Sequence, residues 1–324
     1  MPVLVTGAAG FIGYHVAQAL LTRGENVIGI DNFSPYYDVR LKQARLARLS
    51  ENPGFRFHRL DITDKDAIGA LFAGAPEIDR IVHLAAQPGV RHSLADPYIY
   101  VNTNVLGQLV VLEAARRLPR LHHLLYASSS SVYGESKILP FSEDDRADTP
   151  NSLYAATKRA GELVSHVYRH LFALPQTGLR FFTVYGPWGR PDMAYYSFAL
   201  AIVSGQPITL YNGGALKRDF TYIDDIVAGV LACLDRPPAA GEPARLLNIG
   251  NHHAEEVRTL VALLEQGLGR KAVIQHAPRP ALDVPETFAS IDRLQKLTGF
   301  APHTPLAEGI ARFLAWFKSW HNID

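Results

Sequence analysis

Cysteine is almost absent from this sequence, and so is any strong imbalance of charge. The 324 residues include one cysteine, Cys233, which excludes an intrachain disulfide and is typical of a reducing compartment. Cys233 lies in the apolar run 226–234, where a small core residue is favoured over a reactive thiol. The formal net charge is +1, and no basic cluster stands out. The balance gives no electrostatic case for nucleic acid or a membrane surface as a partner.

Long apolar runs and metal-ligand spacings are lacking as well. No stretch is long enough to span a bilayer, and residues 1–6 pass directly into a strand pattern without a signal-like basic segment. The histidine pairs His122-His123 and His252-His253 point apart, so we expect no metal site. Hydrophobic residues make up 48% and charged residues 19% of the chain, as in ordinary globular enzymes. We therefore expect a soluble, cytoplasmic protein.

Short strand patterns alternate with helical patterns in the first half of the chain. Strands are predicted at 3–6, 26–30, 55–60, 78–84 and 121–127, with helices between them at 12–23, 37–49, 65–72 and 98–117. This alternation predicts an α/β fold, a Rossmann-type doubly wound parallel sheet with helices on both faces. Ligands of such sheets bind beyond the carboxyl ends of the strands, so the loops after these strands are the candidates for a site.

Three glycines, Gly7, Gly10 and Gly13, follow the first strand and open the first helix. Glycine permits a tight turn and close approach to a phosphate, and the helix N-terminus supplies N–H groups and a positive dipole end. Asp31 follows the second strand, where a carboxylate would accept from ribose hydroxyls and repel a 2′-phosphate. The pattern predicts a dinucleotide site and favours NAD over NADP. A structural turn beside a surface acid is the alternative.

The second half is less regular. Helices are predicted at 153–171, 194–204, 223–234, 254–268 and 306–318, strands at 178–182, 208–211 and 246–249, and a proline-rich loop at 277–285. We expect an NAD-binding Rossmann domain at 1–177, completed by segments from about 205–250. A smaller, discontinuous C-terminal domain at 178–324 would bind the substrate.

Tyr154 and Lys158 are four residues apart in a predicted helix, so their side chains share a face. A neighbouring ammonium would stabilise the phenolate and lower the pKa of the tyrosine toward a working range. The serine run 128–131 ends the preceding strand and offers hydroxyls, of which we expect Ser129 and Ser130 to be catalytic. A surface tyrosine–lysine pair is the ordinary alternative. Beside a dinucleotide loop, the pair predicts proton removal from an alcohol coupled to hydride transfer to nicotinamide.

These motifs resemble the short-chain dehydrogenase superfamily and, over nearly the whole chain, its extended nucleotide-sugar branch. The runs 129–134, 179–182 and 218–225 carry the second resemblance. It implies that Arg218 binds a nucleotide diphosphate, with an ion pair to Asp219 as the alternative. The resemblance implies cofactor contacts at Gly7, Gly10, Phe11, Ile12, Gly13, Asp31, Asn32, Asp61, Ile62, Leu84, Ala85, Ala86, Tyr154 and Lys158.

The segment 183–193 resembles the UDP-glucuronate 4-epimerases. The resemblance implies that Thr183 and Arg190 hold the sugar carboxylate, which would be costly to bury unpaired. A solvated turn residue is the alternative for Arg190. Ser129 and Arg91 are also expected to contact the substrate, with loop packing as the alternative for Arg91. The run 280–283 departs from the family pattern, so the role of the loop 279–283 is left open.

Serines stand where related enzymes carry acids. In the resembling dehydratases an Asp-Glu pair precedes Val-Tyr-Gly, and the decarboxylases have Glu at the position of Ser131. We therefore expect reversible C4 epimerisation of UDP-glucuronate to UDP-galacturonate through a 4-keto intermediate, with transient reduction of tightly bound NAD. A neutral UDP-hexose 4-epimerase is the runner-up, followed by UDP-glucuronate decarboxylase and a silent NAD-binding protein. The resemblance also implies a homodimer through the helices 98–117 and 153–171.

Overall fold

The computed structural model describes residues 1–242, 244–280 and 283–323. Ala281 and Leu282, in the run that departs from the family pattern, lie outside the described residues. The strands are β1 (Val3–Thr6), β2 (Val27–Asp31), β3 (Phe55–Arg59), β4 (Arg80–His83), β5 (His123–Ser129), β6 (Gln176–Phe181), β7 (Thr183–Tyr185), β8 (Pro207–Tyr211), β9 (Lys217–Arg218), β10 (Phe220–Tyr222), β11 (Arg245–Ile249), β12 (Glu255–Glu256), β13 (Val273–Ala277) and β14 (Glu286–Thr287).

Helices connect these strands and cover both faces of the main sheet. They are α1 (Phe11–Thr22), α2 (Val39–Ser50), α3 (Lys65–Gly74), α4 (His92–Ala95), α5 (Pro97–Val101), α6 (Gly107–Ala115), α7 (Leu153–Phe172), α8 (Ala194–Ser204), α9 (Ile223–Leu234), α10 (Val257–Leu268), α11 (Asp292–Thr298) and α12 (Leu306–His321). A π-helical segment (Asn102–Leu106) joins α5 to α6, and 3-10 turns lie at Ser130–Tyr133 and Asn212–Gly214.

The main sheet has seven strands in the spatial order β3-β2-β1-β4-β5-β6-β11, and every neighbouring pair is parallel. The chain builds outward from β1 to β3 and then returns to place β4 on the other side of β1. The carboxyl ends of β1 and β4 therefore flank the point where the strand order reverses, at which open α/β sheets bind ligands. The predicted doubly wound parallel sheet is confirmed.

Alternate residues of β1 face opposite sides of the sheet. Val3 and Val5 belong to the apolar core beneath α1 and α9, whereas Leu4 belongs to the core beneath α3 and α6. All three side chains are fully buried. A strand that is covered on both faces is apolar throughout rather than alternating, and this continuous apolar run is what made β1 recognisable in the sequence.

A serine starts the long helix α7. Ser152 Oγ accepts the backbone N–H of Ala155 at 3.2 Å and so satisfies one of the free donors of the first helical turn. The helix ends at Phe172, and Ala173 then adopts a left-handed conformation with φ +52°. Because the cap fixes where α7 begins, it also fixes the height at which Tyr154 and Lys158 stand above the sheet.

The later part of the chain adds small sheets that the sequence did not reveal. β7 pairs with β10, β9 lies between β12 and β14, and β8 pairs with β13. The prediction missed six of these short strands: β7, β9, β10, β12, β13 and β14. The helices α4 and α11 were missed as well, and the helix predicted at 98–117 contains the π-helical segment. The division into two domains stays a prediction.

Candidate active site

A cleft of about 450 Å³ lies at the carboxyl ends of the central strands. Ser129 and Arg190 line it together with every residue predicted to contact the cofactor. These cofactor-site residues are Gly7, Gly10, Phe11, Ile12, Gly13, Asp31, Asn32, Asp61, Ile62, Leu84, Ala85, Ala86, Tyr154 and Lys158. The cleft occupies the point where the strand order reverses, and its size is that of an ordinary small-molecule site.

The turn after β1 requires glycine at two positions. Gly7 has a φ of +71°, and a Cβ on it would lie 2.9 Å from the amide nitrogen of Ala85. A Cβ on Gly13 would lie 2.1 Å from the carbonyl oxygen of Gly7. The turn therefore touches both the loop after β4 and the first turn of α1 through bare backbone, as a pyrophosphate-binding loop needs.

Helix α1 begins at this turn with Gly10 as its N-cap residue. Glycine has no side chain that could accept the first N–H groups of the helix, and Phe11, Ile12 and Gly13 line the cleft. These N–H groups and the positive end of the helix dipole suit an anionic diphosphate. The donor set at this end of the cleft thus fits the pyrophosphate of a dinucleotide.

Asp31 ends β2 and is almost completely buried, with 6% of its surface exposed. Its Oδ1 accepts the N–H of Phe33 at 2.8 Å, and Lys42 Nζ lies 3.4 Å from the same oxygen. Neither contact involves Oδ2, the second acceptor of the carboxylate. Lys42 lies on α2 and also lines the cleft, although the sequence analysis did not single it out.

A second carboxylate, Asp61, lies beside this end of the cleft. Asn32 Nδ2 donates to its Oδ2 at 2.8 Å, and the N–H and hydroxyl of Thr63 donate to its Oδ1. Burial raises the pKa of Asp61, but these hydrogen bonds outweigh burial and bring it below the usual value. Asp61 is therefore a fixed anion whose position is set by neighbours from two loops.

The ends of β1 and β4 are tied together under the cleft. Thr6 Oγ1 accepts the N–H of Ala85 at 3.1 Å and shares a hydrogen bond of 2.7 Å with His83 Nδ1. Burial, and to a smaller extent the charge of Lys158, lower the pKa of His83 to about 3. The imidazole is therefore neutral at pH 7, and the arrangement fixes the loop that carries Ala85 and Ala86.

Tyr154 lies in the first turn of α7 and lines the cleft beside Ser129. Burial raises the pKa of its phenol, while a hydrogen bond with Ser129 and the charge of Arg190 lower it. The charge of Asp192 acts in the opposite sense to that of Arg190. The free protein holds Tyr154 as a neutral phenol between a hydroxyl group and a cation.

Lys158 is fixed at the end of β5. Its Nζ donates to the carbonyl oxygen of Ala127 at 3.0 Å. Burial lowers the pKa of Lys158 to about 8, and the carboxylate of Glu162 acts against that shift. The ammonium group is thus charged at neutral pH and close to its titration range, where it can exchange protons.

Two residues of the serine run, Ser128 and Ser129, line the cleft. Ser129 Oγ accepts the N–H of Ser131 at 3.2 Å. The hydroxyl of Ser128 donates to Glu162 Oε1 at 2.6 Å. Ser130 begins the 3-10 turn after β5 and is not among the described residues that line the cleft. The predicted catalytic residues that line the cleft are Tyr154, Lys158 and Ser129.

Arg190 reaches the cleft from the loop after β7. Its Nε donates to Asp192 Oδ1 at 3.0 Å and its Nη2 to Asp192 Oδ2, while Tyr36 OH donates to the same carboxylate at 3.2 Å. Burial lowers the pKa of Arg190, but the charge of Asp192 and its hydrogen bond raise it above the ordinary value. A guanidinium has five N–H donors, and the pair with Asp192 uses one on Nε and one on Nη2. The other donors of Arg190 lie outside this pair.

The predicted substrate residues Arg91 and Arg218 lie away from the lining of this cleft, around Asp283. Arg91 Nη2 donates to Asp283 Oδ2 at 3.0 Å, and its guanidinium lies 4.9 Å from the ring centre of Tyr211. Burial lowers the pKa of Arg218, Asp283 raises it and Arg91 lowers it further. Arg91 pairs with Asp283, and the charge of this carboxylate also acts on Arg218, so two guanidinium groups lie near one carboxylate and their surplus positive charge suits an anion.

Asp219 is not the surface partner of Arg218 that the sequence left open. It is completely buried, and its carboxylate accepts from Thr221 Oγ1 and from the N–H groups of Asn251 and Ala289. The backbone carbonyl of Asp219 accepts the N–H of Thr183 at 3.0 Å. Thr183 is not among the described residues that line the cleft.

Tyr36 and Asp192 were not predicted from the sequence either. Tyr36 follows the strand that ends at Asp31, and Asp192 lies inside the segment 183–193, two residues after Arg190. The only available signal was their position beside predicted site residues. Among the residues that the structure describes, no cluster of His, Cys, Asp or Glu could hold a metal ion. Within the same ranges, no helix combines the length and apolar character needed to cross a membrane.

The sheet topology, the glycine turn and the buried acid after β2 together define a dinucleotide-binding α/β protein. The model of the NAD dependent epimerase/dehydratase family matches residues 3–250. The chain belongs to that family.

Relatives align with the chain over nearly its whole length. A probable UDP-glucuronate 4-epimerase of Rhizobium meliloti is 45% identical over 98% of this chain and 97% of its own length. UDP-glucuronate 4-epimerase 1 of Arabidopsis thaliana is 46% identical over 99% of this chain and 78% of its own length. The crystal structure of UDP-glucuronic acid 4-epimerase from Bacillus cereus, in complex with UDP-glucuronic acid and NAD, has a TM-score of 0.91 at 35% identity and covers 99% of this chain and 100% of that one.

Proposed function

We propose that the protein is an isomerase that interconverts UDP-glucuronate and UDP-galacturonate by inverting C4 of the sugar. The observation that carries this proposal is the position of Arg190, a partly buried cation in the same cleft as Tyr154. An alcohol-oxidising tyrosine needs no such cation, but a substrate that carries a carboxylate does. Both relatives and the Bacillus cereus structure bear the name of the same activity.

The glycine turn, the free N-terminus of α1 and the buried Asp31 fit NAD. Gly7, Gly10 and Gly13 would lie against its pyrophosphate, and Asp31 would accept from its adenosine ribose. When bound, NAD would accept hydride from C4 and return it to the opposite face of the sugar, so that NAD is regenerated in each cycle.

Tyr154 would remove the proton from the 4-hydroxyl of the sugar. Ser129 already exchanges a hydrogen bond with this phenol and would bind the same substrate oxygen. Arg190 lowers the pKa of Tyr154. The ammonium of Lys158, one turn further along α7, is held at the carbonyl oxygen of Ala127. The proton returns from Tyr154 after the 4-keto sugar has turned over, so the reaction consumes nothing. We also propose a catalytic role for Ser130, which directly follows Ser129 and begins the 3-10 turn.

Two groups of residues, each with at least one arginine, would bind the two charged parts of the substrate. Arg190 and Thr183 would hold the sugar carboxylate, and Arg218 and Arg91 would hold the diphosphate. Anchoring the diphosphate outside the cleft lets the sugar turn over without leaving the protein. Arg190 would also hold the carboxylate so that its bond to C5 does not align with the π-system of the C4 carbonyl. This orientation would protect the β-keto acid from losing carbon dioxide.

No acid stands at Ser130 or Ser131 to assist elimination, which disfavours dehydration and decarboxylation. Proton NMR of the anomeric signals tests the proposal directly when the protein is incubated with UDP-glucuronate. We expect a mixture with UDP-galacturonate at equilibrium. Conversion of UDP-glucose with UDP-glucuronate left unchanged would establish the neutral-sugar alternative. UDP-4-keto-pentose as the main product would establish a decarboxylase, and NAD content without any turnover a silent binding protein.

We also propose that two copies of the chain pair through the helices that flank β5. Apolar side chains lie exposed along α5, the π-helical segment, α6 and α7, and these residues are Tyr98, Val101, Leu106, Leu109, Leu163, Val167 and Leu171. A helical face of this extent is best covered by an identical face in a four-helix bundle. Light scattering should give the mass of a dimer, and V167E should give a monomer. A cytoplasmic location stays a prediction.

A further inference from the structure

Arg45 is a completely buried arginine whose partners are uncharged oxygens. It lies on α2, and its side chain has no exposed surface. Nη1 donates to the carbonyl of Ala9 at 2.9 Å and to Tyr37 OH at 2.8 Å. Nε donates to the carbonyl of Trp188 at 3.1 Å, and Nη2 donates to the carbonyls of Trp188 and Gly189. Burying a guanidinium costs free energy because it loses its hydration, and these hydrogen bonds to oxygens compensate for that loss.

The carbonyl groups that Arg45 holds belong to two functional segments. Ala9 is part of the glycine turn that faces the pyrophosphate site. Trp188 and Gly189 directly precede Arg190, the cation that reaches into the cleft. One planar guanidinium therefore joins the cofactor loop to the segment that carries the proposed carboxylate ligand.

Helix α1 holds the same segment from a second side. His15 Nε2 lies 3.0 Å from the carbonyl oxygen of Pro187, and because a carbonyl only accepts, Nε2 must carry the proton. Burial lowers the pKa of His15 to about 4, so the ring is neutral at pH 7. The carbonyls of the residues 187, 188 and 189 are thus bound in succession by side chains of α1 and α2.

The backbone of this segment is strained. Trp188 has a φ of +59°, a conformation that bulky side chains rarely adopt. Its ring packs against Tyr14, Trp316 and Trp320 at centre-to-centre distances of 5.8, 5.4 and 5.4 Å. A strained residue between anchored carbonyls persists only where the surroundings impose it, and such strain concentrates at functional sites.

We propose that Arg45 is a positioning residue that fastens the segment 187–190 to the glycine turn and thereby sets where Arg190 meets the sugar carboxylate. This inference rests on the proposed function for the identity of the ligand, but not for the geometry. It makes Arg45 a determinant of specificity for acidic sugars that touches neither substrate nor reacting atoms. The side chain of Arg45 thus links the position of the glycine turn to that of the sugar site.

The test compares R45K with R48M in the NAD-loaded protein. Lysine keeps the charge of Arg45, but its compact ammonium cannot span carbonyls on two segments. Arg48 is a matched control because it lies one turn along α2 and touches the ring of Trp188 and Tyr14 OH, but none of these carbonyls. Titration calorimetry would give the affinities for UDP and UDP-glucuronate, and hydrogen exchange would report on the amides of the segment 187–190.

In R45K we expect binding of UDP-glucuronate to weaken by roughly tenfold, with UDP binding unchanged and faster exchange in the segment 187–190. R48M should leave all three quantities near those of the native protein. If R45K does not fold, H15F removes the donor to Pro187 and should act in the same direction.

Equal weakening for UDP and UDP-glucuronate would mean that Arg45 serves the fold as a whole and would overturn the inference. Unchanged exchange in the segment 187–190 would overturn it as well. A native protein that binds UDP but does not convert UDP-glucuronate would instead contradict the proposed function. In that case the exchange measurement alone decides the role of Arg45.

Discussion

Replacement of Gly13 by alanine puts a steric clash against an intrinsic gain in helix propensity. Gly13 lies within α1, where alanine is favoured over glycine by about 1 kcal/mol. The added Cβ, however, would lie 2.1 Å from the Gly7 carbonyl oxygen and 2.8 Å from its carbonyl carbon. The turn would have to retreat by about 1 Å to restore ordinary contact. Because the clashing atoms belong to the backbone rather than to a flexible side chain, we expect the clash to cost more than the helix propensity gains.

The loss of stability in G13A depends on what lies behind the glycine turn that has to move. Overpacking a well-packed site costs about 1–3 kcal/mol, and this site has the loop after β4 in contact behind Gly7. After the propensity gain of about 1 kcal/mol is subtracted, we expect G13A to lower the free energy of unfolding by up to about 2 kcal/mol. Moving the turn also displaces the N–H groups that face the pyrophosphate, so the purified variant should contain little NAD.

Gly69 provides the matched control. It lies in α3, and a Cβ on it would meet nothing within 4 Å. G69A should therefore raise the free energy of unfolding by about 0.5–1 kcal/mol and keep its NAD. Urea unfolding and absorbance of the nucleotide released on denaturation measure both quantities. A G13A protein that is as stable as G69A and retains NAD would refute the reasoning about the glycine turn.

Three further predictions concern the chemistry, the core and the pH dependence. Y154F should lower kcat by roughly 10²–10⁴ because it removes the acid–base group, while NAD content, measured after denaturation, stays unchanged. R180M should lower the free energy of unfolding by about 1.5–3 kcal/mol in urea unfolding, because the fully buried carboxylate of Glu162 loses two charged hydrogen bonds of 2.8 Å and keeps Arg159 at 2.9 Å as its remaining guanidinium. Burial lowers the pKa of His123 to about 4 from 6.5, so the unfolded chain binds the extra proton between these values. Its contribution to stability is therefore present above pH 6.5 and falls by about 3 kcal/mol toward pH 4, and H123Q should flatten that part of the curve.

Each of these predictions has a result that would contradict it. Turnover by Y154F at the native rate would move the acid–base role to another residue. An R180M protein of native stability would mean that water reaches Glu162. Identical pH profiles of stability for H123Q and the native protein would mean that the imidazole is already protonated or exposed when folded.

Most of the main sheet could be predicted from the sequence because its central strands are buried on both faces. Continuous apolar runs such as β1 and β5 leave a clear pattern, and the helices between them have a 3.6-residue period. Strands of two or three residues leave no periodicity. Thr183 of β7 pairs with Phe220 of β10, so the information that defines these two strands lies in contacts between distant parts of the chain.

The site divides in the same way. Residues that belong to a local motif, such as Gly7 and Tyr154, were predicted, since a turn or a helical face fixes their relation. Residues that meet only through the fold were not. Tyr36 donates to Asp192 across 156 positions of sequence, and Arg45 bonds to carbonyls 143 and 144 positions away. No spacing rule connects such pairs.

One face of α7 shows how local pattern and long-range contact combine at the proposed active site. Tyr154, Lys158 and Glu162 follow one another at intervals of four residues, so they lie along one stripe of the helix. Tyr154 and Lys158 line the cleft, while Glu162 is buried and paired with Arg180 of β6. Ser128, one residue before Ser129, donates to the same carboxylate.

Glu162 thus connects α7 to two strands of the sheet. A shift of α7 along its axis that moved Tyr154 away from Ser129 would also break the hydrogen bonds of Glu162 with Arg180. The buried ion pair therefore helps to fix the height of the phenol relative to the serine hydroxyl, together with the hydrogen bond from Lys158 to Ala127. For this reason we expect R180M to lower kcat as well as stability, even though Arg180 does not line the cleft.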